Sequence, residues 1–143
     1  MSAQVFLYPH RVTYSECTLG NHIYYARYLD ILEEARGEFF RHLGAPFLHW
    51  QQQDVLFPVI ECRVLYRAPA RYDDLLTIEL WLAALEKVRL NFAYRVVKPE
   101  QVEVLLASTF HVCAGLDEKP KRIPPELCRT LEVYLKKENT AAS

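Results

Sequence analysis

Residues 14–44 read YSECTLGNHIYYARYLDILEEARGEFFRHLG, a polar loop running into one long helical pattern. At about 100° per residue, Tyr24, Tyr28, Ile31, Leu32, Ala35, Phe39 and Leu43 fall in one broad sector, as in a helix pressed onto a core. Arg27, Asp30, Glu34, Glu38 and Arg41 take the opposite sector and face water. Between them runs a mixed flank of Tyr25, Leu29, Glu33, Arg36 and Phe40 at spacings of three and four, where chemistry is first sought. The helix is expected to begin at His22 or Ile23 with Asn21 as its N-cap, and to be closed by Gly44 and Pro46.

On either side of this helix the pattern changes to β. Residues 4–14 (QVFLYPHRVTY) predict a first strand, with Pro9 at a sheet edge or bulge because it lacks an N–H. After the helix, APFLHWQQQD reads as an irregular loop. Four further strands follow: 55–66, with Ile60, Cys62, Val64 and Tyr66 on one face; 75–85, with Leu76, Ile78, Leu80 and Leu82 together; 88–97, with Val88, Leu90, Phe92, Tyr94 and Val96 opposite Arg89, Asn91 and Arg95; and 102–114. RAPARYDD is polar turn material. KPKRIPPEL breaks the strand pattern and starts a short helix at Pro124 or Pro125, and KKENTAAS is expected to fray. The strands exceed the usual length of about 5–6 residues, which predicts a strongly curved antiparallel sheet.

One helix apolar on most sides and one antiparallel sheet have an economical solution in which the sheet wraps the helix. The class is α+β, in a single domain over residues 1–143. An open edge strand is a liability, so two copies are expected to pair edge to edge as a homodimer.

Composition narrows the partners. About half the chain is apolar and the formal net charge is -1, which argues against nucleic acid or an anionic membrane. No apolar run approaches the roughly 18 residues of a membrane span, and MSAQVFLYPH lacks the features of a secretory signal, so a cytoplasmic location is expected. Cys17, Cys62, Cys113 and Cys128 form no C-x-x-C pair, and the histidines show no ligand spacing; reduced thiols and no metal are the reading.

The order of elements and the helix sequence resemble the hotdog-fold acyl-CoA thioesterases of the 4-hydroxybenzoyl-CoA thioesterase type, over nearly the whole chain. That family's signature runs approximately Y-x-D-T-D-x-x-G-x-V-Y-H-A-x-Y, then E-x-A-R. Without gaps, Tyr14, Ala26, Tyr28, Glu33, Ala35 and Arg36 match it and Ile23-Tyr24 stands for V-Y. RAPARYDDLLTIELW is similar to the family's P-A-x-x-G-D turn, and KPKRIPPEL to its R-x-I-P close. The resemblance implies a hotdog fold with five or six strands and an acyl thioester hydrolase, dimeric or tetrameric, with its site between subunits. It implies no cofactor beyond coenzyme A as part of the substrate.

The departures concern the site. The family's catalytic aspartate falls on Thr18, or on Cys17 if Gly20 rather than Asn21 takes the glycine position, and the histidine falls on Tyr25. The resemblance places the thioester carbonyl at N–H groups of the helix start, near Tyr24 and Tyr25. Three replacements for the aspartate stay open: Glu16 in the loop, Glu33 on the helix, or carboxylate-free catalysis by Thr18 and Arg36, as in hotdog thioesterases of polyketide pathways. Tyr25 and Phe57 would line the acyl pocket, with Tyr14, His22 and Tyr24 near the substrate. Arg89, Lys121 and Arg122 would meet coenzyme A phosphates. Ordinary alternatives stand beside these: a Glu33–Arg36 ion pair, Glu16 as a loop or cap carboxylate, and the cations as solvated charge. Acyl-CoA is favoured over an acyl carrier protein. The rival classes are a non-catalytic binder of acyl-CoA or a lipid-like ligand, and a carrier-specific thioesterase.

Overall fold

The computed structural model describes residues 3–136. In chain order they form β1 (Phe6–Arg11), a hairpin of β2 (Cys17–Thr18) and β3 (His22–Ile23), the long helix α1 (Arg27–His42) and a short helix α2 (Phe47–Gln52). There follow β4 (Val59–Tyr66), β5 (Leu75–Leu85), β6 (Arg89–Lys98), β7 (Val102–Val112) and α3 (Pro125–Glu132). A single antiparallel sheet in the order β1-β5-β6-β7-β4 carries the fold. Pro9 sits in β1, an edge strand, where a missing N–H costs least.

Strand alternation gathers the core on one face. Leu76, Ile78, Leu80 and Leu82 of β5, Leu90, Phe92, Tyr94 and Val96 of β6, and Leu105 and Ala107 of β7 join Ile31, Leu32, Ala35 and Phe39 of α1 in one buried cluster. Each large side chain there contributes about 1.5–3 kcal/mol through burial. Register shifts at Leu82/Ala84 and Val96/Val97 mark bulges, which add twist and let long strands bend round a helix. α1 ends as its sequence predicts, with Gly44 left-handed at φ +86.

Two local expectations are corrected. α1 begins at Arg27, with Ala26 in the N-cap position, and not at His22 or Ile23. Those two residues belong to β3, which pairs with β2 (Cys17↔Ile23, Thr18↔His22), and the Ile23 N–H donates to the Ala70 carbonyl. Asn21 is therefore not a cap; it turns the hairpin at φ +57, beside Gly20 at φ +88, and its side-chain oxygen accepts the Tyr72 N–H at 3.3 Å. Tyr24 precedes the helix and is half-exposed instead of facing the core. The second correction is at 47–52, read as irregular, which is helical: Phe47 packs on Phe40 with ring centroids 4.6 Å apart, and Trp50 is buried. The segment expected to fray lies, from residue 137 on, outside the described residues.

The other sheet edge is apolar and open. On β4, Val59, Ile60, Leu65 and Tyr66 are exposed, and only Val64 reaches intermediate burial.

Candidate active site

α1 begins without a side-chain cap, because Ala26 has no oxygen with which to close the first turn. The Tyr24 N–H donates to the Glu16 carbonyl at 2.9 Å and the Arg27 N–H to the Tyr24 carbonyl at 2.8 Å. Among the described residues, the N–H groups of Tyr25 and Ala26 meet no acceptor. Two adjacent unclaimed donors at the positive end of a sixteen-residue helix suit a partial negative charge on oxygen. The hydroxyl of Tyr66 donates to the Tyr25 carbonyl at 3.0 Å and fixes the peptide that carries the Ala26 N–H. Around this point lies a groove of about 570 Å³ lined by Thr18, His22, Tyr24, Tyr25, Tyr28 and Tyr66, among others.

A second groove, of about 800 Å³, runs along the mixed flank of α1 and is lined by Glu33, Arg36, Phe47, Phe57 and Val59, with Asp30 and Glu34 also on its walls. Glu33 is exposed, and among the described residues its carboxylate has no hydrogen-bond or ion-pair partner. The ion pair between Glu33 and Arg36 does not form. Arg36 is buried at 8 % exposure and donates to the Tyr94 hydroxyl at 3.0 Å. That hydroxyl lies 2.6 Å from Thr109 Oγ1, which lies 2.8 Å from His111 Nε2, and His111 Nδ1 is 2.9 Å from the Phe57 carbonyl. Burial drives the His111 pKa down to about 4, against the pull of the Phe57 carbonyl, and the Arg36 charge lowers it further. Burial likewise raises the Tyr94 hydroxyl, although Arg36 and Thr109 oppose it.

These polar groups follow from alternation on the strands. Tyr94 is central on β6 and Thr109 and His111 are two apart on β7, all turned toward α1. Cys62, paired with Thr109 across β4 and β7, faces the same space. Burial raises its thiol pKa, with Arg36 opposing, so the thiolate is scarce at neutral pH.

The profile of the thioesterase-like superfamily matches residues 12–131. The chain belongs to the thioesterase-like superfamily. It is 32% identical over 128 residues to the acyl-CoA thioester hydrolase YbgC of Escherichia coli O6:H1, covering 89% of this chain and 96% of that protein. It is 32% identical over 117 residues to the long-chain acyl-CoA thioesterase FadM of Escherichia coli K12, covering 80% and 88%. The crystal structure of a hypothetical protein from Thermus thermophilus superposes with a TM-score of 0.83 at 32% identity, over 90% of this chain and 98% of that one. The fold is the hotdog fold of this thioesterase family.

Within this thioesterase the residues singled out from sequence divide into three sets. Thr18, His22, Tyr24 and Tyr25 share the groove at the start of α1. Glu33, Arg36 and Phe57 share the groove along its flank. Glu16 belongs to neither: it closes a capping box with Thr13, accepting the Thr13 N–H at 2.8 Å, and pairs with His10 at 2.9 Å. Burial pushes its carboxyl up, but the Thr13 N–H and His10 outweigh this and its pKa lies below the ordinary value.

Tyr14 is exposed and packs edge-on against Tyr72. Lys121 is tied to Asp54, donating to its carbonyl at 2.9 Å, and Arg122 lines a separate groove of about 770 Å³ with Lys87 and Arg129. Arg89 is exposed at the start of β6. Tyr66, Tyr94, Thr109 and His111 were not singled out from sequence as site residues; nothing in a strand's alternation distinguishes a polar inner position from a packed one. Among the described residues no group of three or more His, Cys, Asp or Glu side chains is placed to hold a metal ion, and no helix is long and apolar enough to cross a membrane.

Proposed function

We propose that this thioesterase hydrolyses acyl-CoA to a free acid and coenzyme A at a site completed between two copies of the chain. The observation that carries this reading is the pair of unclaimed N–H groups at Tyr25 and Ala26. They are placed to receive the thioester oxygen as it gains negative charge during attack by water, when fixed donors stabilise the transition state more than the ground state. Glu33 is the base: uncommitted and on a groove wall, it takes a proton from water as the water oxygen bonds to the carbonyl carbon. The C–S bond then breaks and the coenzyme A sulfur leaves, to be protonated. Thr18 orients the water through its hydroxyl, and Tyr25 and Phe57 line the path of the acyl group. Glu16 is held by Thr13 and His10 as a structural carboxylate.

In one chain the two grooves lie at opposite ends of β4, since Tyr66 lines the first and Val59 the second. Along α1 itself Ala26 and Glu33 are seven residues apart, about 10 Å of helix rise, and Glu33 opens onto the flank groove and not onto the groove beside the N–H pair. Antiparallel pairing of β4 with its copy sets the Val59 end of one strand beside the Tyr66 end of the other. The exposed apolar residues of β4 favour this pairing. We place the enzyme in the cytoplasm, a reading supported by its free thiols.

Ala26→Pro tests the site directly. Ala26 has φ -74, which proline adopts, and the change deletes its N–H; as the third residue of the Tyr24–Arg27 turn, proline also disfavours a helical Tyr25 and so acts on both donors of the pair. With circular dichroism and oligomeric state unchanged, kcat for an acyl-CoA is expected to fall about 100-fold. Full activity in that variant would sink the proposed carbonyl site.

A further inference from the structure

Behind the flank groove, four side chains run in single file through the core and fix one another's protons. The Arg36 guanidinium only donates, so the Tyr94 oxygen accepts from it and gives its own proton to Thr109. Thr109 in turn donates to His111 Nε2, which must accept, leaving Nδ1–H to donate to the Phe57 carbonyl. With His111 neutral, as its burial favours, this arrangement satisfies every link and leaves the Tyr94 proton with an acceptor.

Its far end is not satisfied. A guanidinium has five N–H bonds; one goes to Tyr94, and among the described residues the others meet no acceptor and no carboxylate forms an ion pair with them. The residue is only 8 % exposed, and its free donors open on the grooves, where water or a ligand oxygen takes them. Arg36 lines both the wide groove with Phe57 and Val59 and the adjoining cleft with Leu29, Leu32, Cys62 and Thr109. Asp30, Glu33 and Glu34 stand on the groove's walls, which disfavours an anionic occupant and favours a neutral oxygen.

We propose that Tyr94, Thr109 and His111 form a strut holding Arg36 as a fixed donor to an oxygen of the acyl group, so that the groove selects keto- or hydroxyacyl thioesters over plain hydrocarbon ones. This rests on the reading of the flank groove as the acyl pocket. Tyr94, Thr109 and His111 are positioning residues; Arg36 alone touches the substrate.

The test is the affinity of the full chain for paired alkyl-coenzyme A thioethers of equal length, one plain and one bearing a ketone that is moved along the chain, measured by titration calorimetry. For at least one ketone position the oxygenated ligand is expected to bind about 10-fold tighter. Tyr94→Phe and Thr109→Val bring that ratio near one, whereas Thr109→Ser, which keeps the hydroxyl, retains it. The kcat/KM ratio of the matching thioesters follows the same order. Equal affinity at every ketone position, or a ratio unmoved by Thr109→Val, a near-isosteric change, overturns the proposal. Thioether binding needs no turnover, so an intact preference in a chain that hydrolyses nothing would sink the enzyme reading and leave the strut standing.

Discussion

The Tyr66 hydroxyl donates to the carbonyl oxygen of Tyr25 at 3.0 Å, and that carbonyl belongs to the same peptide unit as the unclaimed Ala26 N–H. An accepted hydrogen bond on one side of a peptide polarises the N–H on the other and restrains its plane. Tyr66→Phe keeps the ring, which packs against Tyr25 and Tyr28 at centroid distances of 6.3 and 5.7 Å, and removes only this bond. Steady-state kinetics with an acyl-CoA are expected to show kcat about 3- to 10-fold lower with KM little changed. A change confined to KM would assign Tyr66 to ground-state binding.

Glu33 and Glu16 separate cleanly by experiment. Glu33→Gln is expected to lower kcat by about 100-fold or more, as for loss of a general base, with thermal stability intact because its carboxylate holds nothing in place. Glu16→Gln is expected to leave kcat within a few-fold but to cost about 1 kcal/mol in urea unfolding through loss of the cap. Its folded pKa is depressed, so the stability it contributes is present above its unfolded pKa and disappears as pH falls through the folded one. Parallel losses of kcat in both variants would contradict this division.

His111 makes a separate prediction for acid. Its pKa falls from 6.5 to about 4 on folding, chiefly through burial. Between those values the unfolded chain binds the extra proton, so stability rises with pH across this window. The contribution is complete above about pH 6.5 and is lost as pH falls toward 4, with a total on the order of 3 kcal/mol. Nitrogen shifts of the His111 ring should keep the Nδ1–H neutral tautomer down to about pH 5. A ring titrating near 6.5 in the folded protein would break the proton assignment of the Arg36 chain.

Most of the framework was legible because its signals are periodic. Alternation over Leu76 to Leu82 and Leu90 to Val96 defined the inner face of the sheet, and the sector from Tyr28 to Phe39 defined the helix face laid on it. The start of the helix was misplaced because residues 22–26 continue its apolar pattern, whereas the backbone there is taken by the Cys17–Ile23 pairing, a tertiary contact with no local signature. Six residues of α2 are too few to show a period. At the site, the helix motif marked Glu33 and Arg36 but not what they touch. Arg36 turned from Glu33 to Tyr94, and that partner is 58 residues away along the chain.

In the proposed dimer the open edge of β4 joins two half-sites into one. Val59 and Ile60 end β4 beside the groove that holds Glu33 and Arg36, and Tyr66 ends it beside the Tyr25 and Ala26 donors. The exposed apolar residues Val59, Ile60, Leu65 and Tyr66, which flank a Glu61–Arg63 ion pair on β4, are the kind that natural edge strands suppress with lysine. Ile60→Lys places such a charge on the strand without touching the buried core or either set of proposed catalytic groups. Sedimentation is expected to show a dimer or larger assembly for the native chain and a folded monomer for this variant. Hydrolysis should fall by about 100-fold or more, since carbonyl donors and Glu33 would no longer meet. Mixing Glu33→Gln with Ala26→Pro chains discriminates further: if each site takes one half from each copy, a heterodimer carrying both changes in one pairing keeps its other site intact, and activity reappears. A fully active Ile60→Lys monomer would place the whole reaction within one chain and dismiss the shared site.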